Sequence, residues 1–497
     1  MKSALILYPN QLYSADLLPE VQTVFTVEDP YFFGADPQNN LAIHKQKIIL
    51  LRASLRRYVK EVLWPAGYDV QHVGYGDIKT SEEIFLKTKG FEKLYIFDPT
   101  DNALSQRLLQ ARRETAGIAP LEFLPSPNFF LSEHEVRDYF GKHQTSDFDD
   151  FYQWQRERFN ILIDENYKPL GGKWIFDQKQ VKSVKNDVTL PSIGVFGGNN
   201  FVEEATNFVN KNFNENPGST EFVWPTNHQE AEDWLQNFLK GRAGLFSEYK
   251  NSLHPSSPWL FHSALSPILN IGLLQPQQVV TAILYFHKVN PLPIEALESF
   301  IRGILGWREY QRGLYLVHGQ QLKTSNSLKH LRLLSTQWSN GGLNIPPYDD
   351  VVNKLLQRGY IHHNERLMVV GNLMLISQIH PDEVYKWFMQ LCIDAYDWCV
   401  VGNVYAMSQM AEGGQLVNRP PFSPSNYITQ SSEDYQRGEW SDVWDGLFWD
   451  FVENHKESFK SSPELRAATH RLSRLDADHR RIIGYRAQDF LARATRQ

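Results

Sequence analysis

The chain is 497 residues long, with 42% hydrophobic and 13% aromatic residues and a formal net charge of −7. The length implies two or three domains with a large core, and the acidic balance excludes nucleic-acid binding through overall positive charge, leaving a local basic patch for any such task. Two cysteines, Cys392 and Cys399, support neither a disulfide framework nor a cysteine-ligated metal site and fit a reducing cytoplasm.

The first 130 residues alternate between strand and helix. Apolar runs at 3–8 and 21–27 read as buried strands, 44–63 as a basic amphipathic helix, and 69–73 and 93–97 as further strands. A helix at 103–111 and a strand at 122–124 follow. This order predicts a doubly wound parallel sheet, which binds ligands at the C-terminal ends of its strands. No glycine-rich phosphate fingerprint follows the first strand, so a standard dinucleotide site is not indicated. Residues 135–225 carry Gly171-Gly172, Gly197-Gly198 and Pro217-Gly218 among many Asn and Asp, and read as a long linker with a few short helices. From 226 to 497 helical periodicity dominates, with helices expected at 231–241, 276–288, 293–317, 349–358, 365–377 and 381–398. The expected division is 1–134 (α/β), 135–225 (linker) and 226–497 (all-α). The N-terminus lacks the apolar run of a signal peptide, and no run of about 18 apolar residues predicts a membrane span.

Four segments carry polar and aromatic residues in patterns suited to chemistry. In Trp259-Leu-Phe-His-Ser-Ala-Leu-Ser266, Ser263 and Ser266 stand where a helix begins, a place that suits a diphosphate or a plain N-cap. Gly306-Trp307-Arg308-Glu309-Tyr310 sets an indole, a guanidinium and a carboxylate together, as a pocket floor or a structural ion pair. His362-His363 at the mouth of a helix are proton donors near neutral pH, or two hydrogen-bonded core histidines. Asp394-Ala-Tyr-Asp-Trp398 and the small residues from Gly402 to Gly414 suggest backbone lying close to a ligand, or a connection between helices.

In order, HSxLSxxLNxGLL, FIRxILGWREYxRG, YxHHxxRLMVxGN, DAYxW and NVxxMSQxAxGG resemble the bacterial (6-4) photolyases, also called prokaryotic iron–sulfur cryptochromes. His44-Lys45-Gln-Lys47, Gly171-Gly172-Lys-Trp174 and Asn426-Tyr427-Ile428 add to the resemblance, which covers essentially the whole chain. It implies an α/β antenna domain joined to an all-α domain that binds FAD. The cofactor contacts implied are Tyr249, His262, Ser263, Leu265, Ser266, Arg308 and the Arg366–Asp394 pair. His363 takes the place of the family's catalytic histidine, with His362 beside it. The substrate implied is UV-damaged DNA. Reversal of a (6-4) lesion needs an electron, from excited FADH⁻, and a proton, from a protonated imidazole. The lesion would be flipped out of the duplex, with Trp307 and Tyr427 as contacts. Trp387, Trp338 and Tyr396 are the implied electron-transfer residues. The implied antenna is 6,7-dimethyl-8-ribityllumazine, near Glu28, Asp29 and the loop 30–40.

The chain departs from the family where four cysteines would hold a [4Fe–4S] cluster: Pro347, Gln436, Glu439 and Asp442 stand there, so no cluster is expected. Aromatic residues including Tyr435, Trp440 and Trp444 are expected to pack a core in its place. Val400 occupies the position facing flavin N5, usually polar. The expectations are therefore a (6-4) photolyase, monomeric and cytoplasmic, with a cryptochrome-type photoreceptor or a cyclobutane-dimer photolyase as alternatives, and a non-catalytic nucleotide-binding scaffold if the flavin motifs are coincidental. Candidate DNA contacts are Arg419 and the basic tail 466–481, which also reads as a solvated helical face, and a divalent ion is conceivable at Asp177.

Overall fold

A computed structural model describes residues 2–143, 147–176, 181–185, 187–414, 416, 422–457, 470 and 476–496. Asp177, Arg419 and most of the basic tail lie outside the described residues. In the described part of that tail, Arg480 and Arg481 pair with Glu453 and Asp478 at 3.7 and 3.6 Å.

Five strands form the expected parallel sheet: β1 (Ser3–Leu7), β2 (Thr23–Val27), β3 (Asp69–Val73), β4 (Lys93–Phe97) and β5 (Leu121–Leu124). Their order is β3-β2-β1-β4-β5. The central strands read as unbroken apolar runs because helices cover both faces. Edge strand β3 alternates in charge and polarity and is largely exposed. The order reverses between β1 and β4, which opens a crevice at their C-terminal ends.

The helix after β2 runs Lys45–Tyr58, capped by His44 Nδ1 accepting from the Gln46 amide at 3.1 Å, and continues as a π turn, Val59–Leu63. Its residues also reach far along the chain. Lys47 Nζ donates to the Ala395 carbonyl, the His44 amide to the Gln390 carbonyl at 2.7 Å, and Gln46 Nε2 to the Gln357 carbonyl at 2.6 Å. The sheet half is thereby tied to the helical half by backbone carbonyls that would otherwise be buried and unpaired.

Residues 135–225 hold more helix than the sequence suggested: Glu133–Lys142, Phe148–Phe159 and Asn200–Asn212. The asparagines read there as loop formers include a cap, Asn199, whose side chain accepts from the amides of Phe201 and Val202. The helix it opens packs on Lys45–Tyr58, where Arg52 pairs with Glu204 at 2.8 Å and lies 3.8 Å over the Phe208 ring.

In the helical half, the stretch expected at 293–317 runs on to Lys323 through a π turn, Arg302–Trp307. The expected helix 381–398 is interrupted. It ends at Leu391 and resumes at Asp397, although apolar spacing persists from Val384 to Trp398. The break has tertiary causes: the Ile393 amide donates to the Gly359 carbonyl, Asn270 Nδ2 to the Asp394 carbonyl at 2.8 Å, and Lys47 to that of Ala395. Near the C-terminus, Glu439–His455 and Ala477–Ala494 pack tightly. A Cβ on Gly446 would lie 2.2 Å from the Ile483 carbonyl oxygen, so only glycine permits this approach. No described helix is long and apolar enough to cross a membrane.

Candidate functional site

The helical half encloses a cavity of about 310 Å³, within the range of small-molecule sites. Three of its walls contain π turns: Arg302–Trp307, Glu365–Gly371 and Gly402–Ser408. A π turn widens the helix by one residue and is common at functional sites. Here the three turns aim Gly303, Trp307, Arg366, Leu367, Asn403 and Val404 inward. Regular helical spacing carries no sign of such turns. That is why the sequence reading took the segment from Gly402 as backbone near a ligand without singling out the Asn403 and Met407 side chains; Gln311, on the regular helix Arg308–Lys323, also lines the cavity and was not named.

Of the predicted cofactor residues, His262, Ser263, Leu265, Ser266, Arg308, Arg366 and Asp394 all line it. Arg366 grips Asp394 bidentately, Nη1–Oδ1 2.9 Å and Nη2–Oδ2 3.0 Å, and Ser266 Oγ also donates to this carboxylate. Ser266 therefore serves Asp394, and Ser263 is the hydroxyl left to the loop. Leu260 and Ala264 hold φ of 41° and 51°, an unfavourable left-handed backbone for residues with a Cβ. The loop is pinned by Trp234 Nε1 donating to the Ser263 carbonyl and Arg242 Nη1 to that of His262, each at 3.0 Å.

Arg308 donates to Asn270 Oδ1 at 2.6 Å and to the Asn128 carbonyl at 3.1 Å, and lies 4.7 Å over the Trp398 ring. Burial pushes its pKa down to about 10. Its Nη2 and both amide atoms of Gln311 are buried without a hydrogen-bond partner among the described residues. A Cβ on Gly402 would stand 2.1 Å from Gln311 Oε1. The glycine expected to admit a ligand instead admits a side chain.

The two adjacent histidines part company. His363 lines the cavity and is exposed to it, with its ring centroid 6.5 Å from that of Trp307. His362 points the other way, fully buried. It stacks on His262 at 4.4 Å and 11°, and its Nε2 lies 3.5 Å from Glu365 Oε2. The expected protonated imidazole is not what this environment favours. Desolvation, reinforced by neighbouring positive charge, lowers the pKa of His262, His362 and His363 alike.

Tyr249 and Tyr427 lie outside the cavity lining. Tyr249 stacks on Phe261 at 4.9 Å, and the Tyr427 hydroxyl donates to Asn364 Oδ1 at 2.7 Å. The tryptophans form a buried series leading away from Phe388 on the cavity wall. Trp387 meets Phe388 edge-on at 5.1 Å, Tyr348 lies 6.4 Å from Trp387, and Trp338 lies 5.2 Å from Tyr348. The Trp387 indole and the Tyr348 hydroxyl both donate to the Trp338 carbonyl. Trp338 is 0% exposed, sealed by Phe490 and by its own indole donating to the Ala494 carbonyl. It therefore does not itself reach the protein surface. Tyr396 stands apart from this series, under Lys47 Nζ at 4.5 Å.

In the sheet half, Glu28 sits at the end of β2, fully buried. Burial would raise its pKa, but His72, Arg52 and Arg56 outweigh that and hold it at about 2. Its carboxylate is engaged inside the protein and lines neither the main cavity nor a smaller one, of about 30 Å³, between Tyr31, Asp101 and Tyr396. At the positions read as cluster sites, Asp442 and Glu439 both face Arg486, at 2.6 and 3.9 Å. Tyr435, Trp440 and Trp444 are buried nearby, as expected.

Residues 6–224 match the family model described as "Deoxyribodipyrimidine photo-lyase-related protein". A (6-4) photolyase from Agrobacterium fabrum is 29% identical over 467 residues, covering 90% of this chain and 91% of its own. Along most of its length the chain is similar to this photolyase, and over residues 6–224 to the family model. Two solved structures share its fold. A bacterial class III photolyase from Agrobacterium tumefaciens superposes with a TM-score of 0.56 at 17% identity, over 97% of this chain and 92% of that one. A Synechocystis sp. PCC6803 cryptochrome gives 0.54 at 13%, over 97% and 94%.

Proposed function

We propose that this protein binds FAD in the cavity and repairs (6-4) pyrimidine–pyrimidone photoproducts in UV-damaged DNA under blue light. The observation that carries the reading is the lining itself, which joins polar groups awaiting a ligand to an imidazole beside an indole. Arg308 Nη2 and the Gln311 amide require hydrogen-bond partners that the described protein does not supply. Phe246, Phe300, Phe388 and Trp398 give apolar surface for a ring system. A large aromatic group carrying anionic oxygens fits both demands, so the residues present fit FAD. Ser263 and Arg308 would hold its polar part, and Arg366–Asp394 would flank its ring. Bound there, reduced flavin supplies an electron under blue light.

The chain's own residues supply the rest. Trp307 offers a flat apolar neighbour to an extruded base. His363 is the acid placed to protonate the hydroxyl or amino group that returns between the two pyrimidines. Trp387, Tyr348 and Trp338 make a series of rings toward Phe388 on the cavity wall. The same reading carries a lumazine antenna, 6,7-dimethyl-8-ribityllumazine, in the sheet half, no iron–sulfur cluster, and a cytoplasmic monomer divided at 1–134, 135–225 and 226–497.

The test is an oligonucleotide bearing one defined (6-4) lesion, incubated with the reduced flavoprotein in blue light and in darkness. Light-dependent recovery of the two pyrimidines, abolished in His363→Ala, supports the reading, and no recovery with fully reduced flavin overturns it. A second substrate is favoured by one observation, the depressed basicity of the three imidazoles. A cyclobutane dimer needs no acid, so the same assay is run on that lesion.

A further inference from the structure

Behind the cavity's histidines lies a second polar group that the proposed reaction has not used. Glu365 begins the π turn, 1% exposed, and one carboxylate oxygen contacts Lys354 Nζ from the helix Pro346–Arg358. Lys354 is 3% exposed and also donates to the His254 carbonyl at 2.6 Å. Burying an ion pair is costly, so the pair by itself is weak evidence of a stabilising role. The second oxygen, Oε2, has no hydrogen-bond partner among the described residues and lies 3.5 Å from His362 Nε2, and both ring nitrogens of His362 also lack one among them. His362 in turn stacks flat on His262, which lines the cavity. The series Lys354, Glu365, His362, His262 thus runs from one helix through the protein interior to the cavity wall.

We propose that Glu365 is a positioning residue for the proton-donating histidines, its free carboxylate oxygen serving as counter-ion to charge on the His362–His363 pair while Lys354 balances the other oxygen. The inference rests on the (6-4) reading for its purpose, though not for its test. The other groups that act most strongly on the pair disfavour its charge, and the Asp394 carboxylate, which lines the same cavity as His363, is taken up by Arg366. His262 faces it from its loop, Lys354 from its helix and Arg366 from the same π turn, while Lys250 acts on His363. Tyr435, tied to Asp350, and Tyr360 border Glu365 and remain protonated. A proton taken up from solvent by the imidazoles is therefore compensated by Glu365. When it passes to the substrate, the imidazoles return to neutral and the Lys354–Glu365 pair is left as it was.

The experiment follows the imidazole nitrogens of ¹⁵N-histidine-labelled flavoprotein by NMR as a function of pH, alongside the pH profile of light-driven turnover. In the wild type, His362 carries its proton on Nε2, toward Glu365; a proton on Nδ1 alone overturns the proposal without any variant. Glu365→Gln removes the counter-charge, so the histidine titration and the falling limb of turnover move to lower pH by about one unit. Because Glu365→Gln strands a buried lysine, the double variant Lys354→Met/Glu365→Gln is measured too and is expected to fold and to shift in the same direction but by less, because it also removes a cation that lowers the basicity of His362. A double variant with unmoved histidine titration overturns the proposal, since a merely structural pair changes the melting temperature and not the profile. If wild-type protein repairs no (6-4) lesion, that reading fails, while the titration still decides the role of Glu365.

Discussion

Replacing Asp394 by Asn tests whether the Arg366–Asp394 pair is the charge anchor of the cavity. The carboxylate accepts two bonds from Arg366 and one from Ser266. An amide keeps one acceptor and turns two hydrogens toward a guanidinium, so one Arg366 bond is lost and the cation is left without its counter-charge. Breaking a fully buried pair from one side costs about 3–5 kcal/mol. The Arg366 side chain is 24% exposed against 5% for Asp394, so water in the cavity screens part of the loss and brings it to about 2–3 kcal/mol. Urea unfolding of the ligand-free protein, followed by tryptophan fluorescence, reads this as a lower midpoint at unchanged slope. Arg366→Gln and the double variant complete the cycle, with an expected coupling of at least about 1.5 kcal/mol. An Asp394→Asn protein within about 0.5 kcal/mol of wild type would refute the reasoning, because the pair would then be a solvated contact worth little.

Glu28 is held ionised by its partners, so Glu28→Gln is expected to cost about 3 kcal/mol at neutral pH, from a shift of roughly 2.5 units. Because its folded pKa is depressed, this stability is present above the ordinary carboxylate range and is lost as pH falls toward about 2, so the gap between the two proteins' urea midpoints should narrow steadily on acidification. Trp387→Phe should leave flavin content unchanged, since Trp387 does not line the cavity. It should slow blue-light reduction of the oxidised flavoprotein in the presence of a thiol at least roughly tenfold, as indole is a far better electron donor than phenyl; equal rates would remove Trp387 from the path. Gly446→Ala forces a methyl against the Ile483 carbonyl and should destabilise the packing of the last two helices by about 1–3 kcal/mol, which a thermal melt will show.

The sheet was legible because strands buried on both faces write themselves as short apolar runs between turn residues. Most helices were legible because apolar residues recur at helical spacing. Where the reading failed, information from elsewhere in the chain had overridden the local pattern. The interval 392–396 keeps helical apolar spacing, yet leaves the helix because Asn270, Gly359 and Lys47 claim its backbone groups. The π turns are equally silent in sequence, so the face that Asn403 and Met407 present could not be assigned. The divergence of His362 from His363 is a matter of rotation about the chain axis, decided by Glu365 and His262. The seal over Trp338 depends on Ala494, 156 residues away.

The tie from Lys47, His44 and Gln46 to residues 357–395 also governs the order in which the molecule can be completed. A chain emerging from the ribosome makes the first helix long before the carbonyls of Gln357, Gln390 and Ala395 exist, so until then these donors have only water as partners. The cavity wall at Ala395 is completed through a contact 348 residues long in sequence, the kind that makes folding slow. A fragment comprising only the helical half would keep every residue that lines the cavity and still lack the lysine that holds this part of its wall.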